Sequence, residues 1–222
     1  MAFNIAIDGP AGAGKSTIAK RVAKELSYIY VDTGAMYRAM ALYFLREKIA
    51  PENEEAISAA CEKITVTLSN ENGEQQVFLN GENVNGFIRT EEVGAMASAT
   101  SIYGKVREKL TQLQREMART TDLIMDGRDI GTCVLPDAQV KIYLTASVET
   151  RGKRRFLELQ EKGVDCDLEK ICADIKQRDY QDMNREISPL KQAEDAVLVD
   201  SSHMTIDEVV ETILSLVKEA IE

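Results

Sequence analysis

Gly9-Pro10-Ala11-Gly12-Ala13-Gly14-Lys15-Ser16 sets a lysine and a hydroxyl directly behind a glycine-rich run. The spacing G-x-x-x-x-G-K-[ST] is that of a phosphate-binding loop. The glycines let consecutive backbone N–H groups curl inward onto phosphate oxygens. The helix that follows aims its positive end at the same anion. Lys15 is placed to reach the β- and γ-oxygens, and the Ser16 hydroxyl suits Mg²⁺. The loop follows an apolar run and opens a helical pattern, which is the context such a loop requires. These residues alone imply a bound nucleoside triphosphate.

Four further clusters have types and spacings suited to a second anionic ligand. Asp32-Thr33-Gly34-Ala35-Met36-Tyr37-Arg38 places Thr33 and Arg38 to meet a phosphate; a capped helix with a surface arginine is the plainer alternative. In Asp126-Gly127-Arg128-Asp129, charged residues around a glycine are costly unless they face a polar crevice. Asp126 would serve a metal shell and Arg128 and Asp129 a substrate, against a solvated turn. Arg151, Arg154 and Arg155 share one helical side and would close over transferring phosphates; a solvated basic face is the alternative. Arg178, Asp182 and Arg185 also share a face, with i,i+4 salt bridging as the alternative. No N-K-x-D occurs, which argues against a guanine-specific switch.

The elements that must position these groups read as alternating strands and helices. Phe3–Asp8, Tyr28–Val31, Leu123–Asp126, Val140–Leu144 and Ala196–Asp200 are apolar runs of strand length. Helical patterns cover Ser16–Leu26, Gly34–Glu47, Asn53–Lys63, Lys105–Thr120, Ser147–Lys162 and Leu168–Glu186. The last, Thr205–Ile221, has Thr205 as N-cap and Glu208 three residues on. Between residues 63 and 90 the pattern changes. Ile64–Ser69, Gln76–Leu79 and Val84–Ile88 read as strands, with turns at Asn70–Glu74 and Asn80-Gly81. The expected fold is α/β: a five-stranded, mainly parallel sheet flanked by helices, interrupted by a small antiparallel insert.

Composition narrows the classes. The 222 residues carry 27 Lys+Arg against 37 Asp+Glu, a net charge of −10, which disfavours nucleic acid as a partner. Cys61, Cys133, Cys166 and Cys172 lack C-x-x-C spacing and only one histidine exists, so no zinc site is expected. The N-terminal run stops at Asp8 without a basic lead, unlike a signal peptide, and no apolar run is long enough to span a bilayer. A cytoplasmic monomer is the expectation.

Taken together, D-G-P-A-G-A-G-K-S-T, V-D-T-G-A-M-Y-R, F-I-R-T-E-E-V, D-G-R-D-I-G-T and the two arginine-bearing helices resemble the bacterial cytidylate kinases, nucleoside monophosphate kinases of the P-loop class. The resemblance runs from Ile5 to the last helix. It implies one P-loop kinase domain over residues 1–222, with residues 63–90 an insert in the monophosphate-binding region and residues 150–165 a short helical lid. It implies transfer of the γ-phosphoryl group of ATP, with Mg²⁺, to CMP or dCMP. Gly9 to Thr17 would hold the ATP phosphates, and Ser16 and Asp126 the metal. Thr33, Arg38, Arg128 and Arg185 would surround the acceptor phosphate. Ser98, Arg107 and Asp129 would read cytosine, Arg178 and Asp182 would approach the ribose, and Arg151, Arg154 and Arg155 would belong to the lid. Lys15 and the arginines at 128, 151, 154, 155 and 185 would carry catalysis.

Overall fold

In the computed structural model, which describes residues 2–71 and 74–222, strand and helix alternate along most of the chain. The first part runs β1 (Asn4–Asp8), α1 (Lys15–Leu26), β2 (Ile29–Asp32), α2 (Thr33–Arg46) and α3 (Glu54–Cys61). Three short strands follow: β3 (Val66–Glu71), β4 (Glu74–Leu79) and β5 (Glu82–Asn83). Next are α4 (Glu91–Thr100), α5 (Gly104–Thr120), β6 (Leu123–Gly127), a π-turn (Ile130–Val134) and β7 (Val140–Thr145). The chain closes with α6 (Val148–Glu161), α7 (Leu168–Asn184), β8 (Val197–Asp200) and α8 (Ile206–Ile221).

The five-stranded sheet has the order β2-β6-β1-β7-β8, and every pairing is parallel. A parallel sheet covered on both faces needs apolar residues on both sides of each strand. Ile5 and Ile7 join Ile18, Val22, Val209 and Ile213 in the core under α1 and α8. Ala6, Leu123 and Met125 face the opposite core with Met36, Met40, Phe44 and Leu110. Each fully buried aliphatic side chain of this kind contributes about 1.5–3 kcal/mol. The register sets Asp8 beside Gly127 and Asp32 beside Asp126, so the strands release their polar residues at one edge. That carboxyl edge is where ligands bind in open α/β sheets.

β3, β4 and β5 form the small antiparallel sheet. Val66, Val77, Leu79, Val84 and Ile88 bury into the same core as α2 and α5, so the insert shares its hydrophobic interior with the main body. Asn80 and Gly81 have φ of 49° and 86°, the left-handed pair that a tight hairpin turn demands. Asn72 and Gly73, in the turn expected at Asn70–Glu74, lie outside the described residues. The third strand differs from its expectation at Val84–Ile88. The paired residues are Glu82 and Asn83, opposite Leu79 and Phe78. Beyond them Val84 N–H still donates to Val77 C=O at 2.9 Å, and then the Asn85 side chain takes over from the backbone, accepting from Val77 N–H at 2.8 Å and donating to Gln75 C=O at 2.9 Å. Val84 and Ile88 then serve as core plugs in a turn.

The C-terminal helix has the capping box its spacing predicts, with Thr205 and Glu208 bonding reciprocally. α7 stops at Asn184, short of the expected Glu186, and leaves Arg185 in extended backbone. Among the described residues no helix is long and apolar enough to cross a membrane.

Candidate active site

A cleft of about 270 Å³ opens at the carboxyl edge of the sheet. The phosphate-binding loop leaves β1 along one side. Gly9 has φ 149°, and a Cβ there would fall 1.9 Å from the Leu144 carbonyl oxygen, so the loop passes β7 only with glycine. Gly14, at φ 88°, caps α1 in the left-handed region. Ala11, Gly12, Lys15 and Ser16 face the cleft; Pro10, Ala13 and Thr17 complete the loop beside it. Lys15 is buried and its Nζ donates to Pro10 C=O at 2.8 Å. Burial, with Arg128 nearby, lowers its pKa to about 7.

Asp126, the next-to-last residue of β6, stands near this lysine. Its Oδ2 accepts from Ser16 Oγ at 2.8 Å and its Oδ1 from Tyr30 OH at 3.0 Å. Burial raises its pKa, reinforced by Asp32 across the register. Thr33 is buried and donates its hydroxyl to Asp126 C=O at 2.6 Å.

The far side of the cleft is lined by every residue expected to meet the acceptor: Thr33, Arg38, Ser98, Arg107, Arg128, Asp129, Arg178, Asp182 and Arg185. Arg107 is buried, pairs with Asp129 and stacks 5.6 Å from the Tyr37 ring centroid. Arg128 Nε donates to Asp182 Oδ2 at 2.8 Å. Arg185, though outside the helix, still reaches the cleft; its Nε donates to Ser188 C=O at 2.7 Å. Burial and mutual repulsion lower the pKa values of Arg38, Arg178 and Arg185. Nη1 of Arg38 and Nη2 of Arg185 are buried without a hydrogen-bond partner, the latter 3.6 Å from Asp129 Oδ1. Six cationic side chains face four carboxylates here, in a chain whose net charge is −10.

The arginines of α6 do not act as the single patch their spacing suggests. Arg151 is 4% exposed and fully committed. It donates to Ala146 C=O at 2.8 Å and Ala11 C=O at 2.9 Å, and grips Asp179 with two nitrogens at 3.1 and 2.6 Å. It braces α6 and α7 against the phosphate-binding loop. Arg154 donates to Ser201 C=O at 2.9 Å, with Nη1 4.0 Å from where a Gly14 Cβ would stand. Arg155 is exposed and pairs with Glu158 at 2.9 Å. The common helical face splits because a buried carboxylate, Asp179, captures only its first member.

Sequence reasoning did not single out Tyr30, Tyr37, Asp179, Arg89 or Gln75. Gln75, from β4, accepts from Asp32 N–H at 2.8 Å and donates to Asp32 C=O at 3.3 Å. Arg89 donates to Asp32 Oδ2 at 2.9 Å. Arg89 stands in the F-I-R-T-E-E-V motif, which was its available signal. A lone glutamine on a short polar strand offers none.

The cytidylate kinase family profile matches residues 5–219. The chain belongs to the cytidylate kinase family. It is 53% identical to the cytidylate kinase of Lactobacillus gasseri, over 98% of this chain and 94% of that one. It is 52% identical to the cytidylate kinase of Shouchella clausii, over 98% and 96%. Among solved structures, shikimate kinase from Bacteroides thetaiotaomicron shares the fold at a TM-score of 0.50 and 13% identity, covering 97% of this chain and 98% of that one. Family membership thus agrees with the five-stranded P-loop kinase architecture and the small antiparallel sheet.

Proposed function

We infer that the protein transfers the γ-phosphoryl group of ATP to CMP or dCMP, giving ADP and CDP or dCDP. The observation that carries this reading is that buried guanidinium nitrogens without a hydrogen bond, on Arg38 and Arg185 and a third on Arg107, belong to side chains that line the same cleft as the phosphate-binding loop. Buried donors without partners are costly, and a phosphate dianion supplies the missing acceptors. Arg128 and Thr33 line the same cleft and would complete that shell.

The attacking group is an oxygen of the acceptor phosphate. A phosphate monoester has a second pKa of about 6, so it is already largely dianionic near neutral pH and needs no general base. The work left to the protein is positioning and charge cancellation between two polyanions. Lys15 holds the donor phosphates, and the cleft arginines hold the acceptor. Arg178 and Asp182 lie where they would meet the ribose. The Arg107–Asp129 pair, stacked on Tyr37 with Ser98 nearby, offers an acceptor to the cytosine amine and donors to O2 and N3. Uracil presents an oxygen where cytosine presents the amine, and polar sites reject such a mismatch strongly.

Ser16 and Asp126 fit Mg²⁺: a hydroxyl and a buried carboxylate 2.8 Å apart supply hard oxygen ligands beside the loop. When bound with ATP, the ion would offset charge on the β- and γ-oxygens. Residues 150–165 act as a lid, with Arg151 and Arg154 beside the phosphate-binding loop and Arg155 exchanging its exposed pair with Glu158 for a phosphate on closure. Residues 63–90 belong to the monophosphate-binding region through the grip of Gln75 on Asp32.

A coupled assay of ADP release over CMP, dCMP, UMP, AMP and hydroxyl acceptors tests this reading. Turnover with CMP and dCMP well above UMP is expected. Tight ATP binding without turnover on any acceptor would overturn it.

A further inference from the structure

Asp8 ends β1, and the next residue opens the phosphate-binding loop. Its side chain is buried, yet it does not line the cleft. Oδ1 accepts from Ile130 N–H at 2.8 Å and Oδ2 from Gly131 N–H at 2.7 Å. Both oxygens are thus given to the two residues that follow Asp129. Those residues open the π-turn, an irregular form that concentrates at functional sites. Asp129 itself has φ −146° and ψ 25°; its C=O accepts from Cys133 and Val134 N–H, while its side chain makes no cap to the turn and is left for Arg107. Its direction is set by what holds the backbone behind it.

A carboxylate is an expensive way to satisfy two buried N–H groups. Burial pushes the Asp8 pKa up to about 6, against the pull of those two bonds and of Lys15. Asparagine would give one acceptor and turn an N–H₂ against the second donor. The forked carboxylate is the side chain that meets both. A Cβ at Gly131 would meet the Lys141 side chain first, at 3.2 Å, and stand at ordinary contact, 3.4 Å, from Asp8 Oδ2.

We propose that Asp8 is a positioning residue for acceptor selectivity: from the strand that carries the phosphate-binding loop, it fixes the turn that points Asp129 at Arg107 and the base. This rests on the reading of the cleft as a kinase site. It predicts that disturbing Asp8 harms base discrimination more than donor binding.

The test uses Asp8→Asn and Asp8→Ser in the full chain, with CMP, UMP and ATP each varied at saturating partner. Leaving one buried donor unmet should raise the acceptor KM about tenfold. The ratio of kcat/KM for CMP over UMP should fall about fivefold or more, with the ATP KM changed less than about twofold. Asp8→Ser, whose single hydroxyl cannot meet both N–H groups, should shift the same ratio in the same direction, and it carries the test if Asp8→Asn does not fold. Equal rises in both KM values at an unchanged ratio would overturn the proposal, leaving Asp8 a general brace. An unchanged acceptor KM and ratio would overturn it too. The wild-type panel scores the kinase reading separately. If wild type preferred another monophosphate, that reading would fail, and the variants would be judged on the ratio for the preferred base.

Discussion

Arg38 and Arg185 each hold a guanidinium nitrogen in reserve, buried and without a hydrogen bond. Replacing either with alanine removes a charge-assisted contact to the acceptor phosphate. We expect kcat/KM for CMP to fall about ten- to hundredfold while ATP affinity is unchanged, as read by steady-state kinetics and equilibrium binding. Lys15 gives a prediction in pH. Its pKa sits near 7 rather than 10.5 because burial and Arg128 disfavour the cation. Donor phosphates reverse that balance, so the bound pKa must be higher and binding must take up protons above pH 7. ATP affinity should weaken as pH rises from 7 to 9. Calorimetry in buffers of different ionisation heats, without divalent cation, should show uptake that Lys15→Arg abolishes. The phosphate-binding loop, Thr33, Arg38, Arg128 and Asp129 were legible because they fall in motifs at strand ends, and Arg178, Asp182 and Arg185 from their helical spacing, whereas Ser98 and Arg107 came only with the family resemblance. The parts played by Tyr37 in the cleft and by Asp8 behind it were not, although both stand in quoted motifs: one is a ring beneath a guanidinium and the other acts on backbone donors, and neither interaction leaves a spacing in the sequence.

Helices α6 and α7 meet through Gly152, where a Cβ would fall 2.4 Å from Cys172 Sγ. Its glycine therefore serves close packing rather than hinge freedom. Gly163, at φ 71°, ends α6, with Val164 N–H returning to Leu159 C=O at 3.0 Å. Gly152→Ala should overpack this hairpin and cost about 1–3 kcal/mol. Cys172→Ala in the same chain should restore most of that loss, and thermal melts of the two single variants and the double measure the coupling. Strands and long helices were legible from apolar runs and periodicity, within a residue or two at most ends. The strand expected at Val84–Ile88 failed because the side chain of Asn85 completes the ladder, which a β-like alternation cannot reveal. The π-turn escaped for a similar reason, since two distant carboxylate oxygens hold it open.

Across the whole molecule the fold separates charge: an acidic chain gathers five arginines and a lysine in one cleft at the sheet edge. The number of sheet strands could be counted from the sequence, but the order β2-β6-β1-β7-β8 could not, because crossovers rather than local pattern decide which strands adjoin. The insert shows how that order matters. β2 is an outer strand, and at its end Gln75 occupies both the N–H and the C=O of Asp32, as a neighbouring strand would. The Asp32 amide proton is therefore shielded from solvent by a side chain of another sheet. Its deuterium exchange rate counts how often the small sheet lets go of the large one. Gln75→Ala should speed that exchange about fivefold, the equivalent of one ordinary hydrogen bond, and acceptor nucleotide should slow it in the wild type. A single backbone proton thus becomes a gauge of the docking of one sheet on the other.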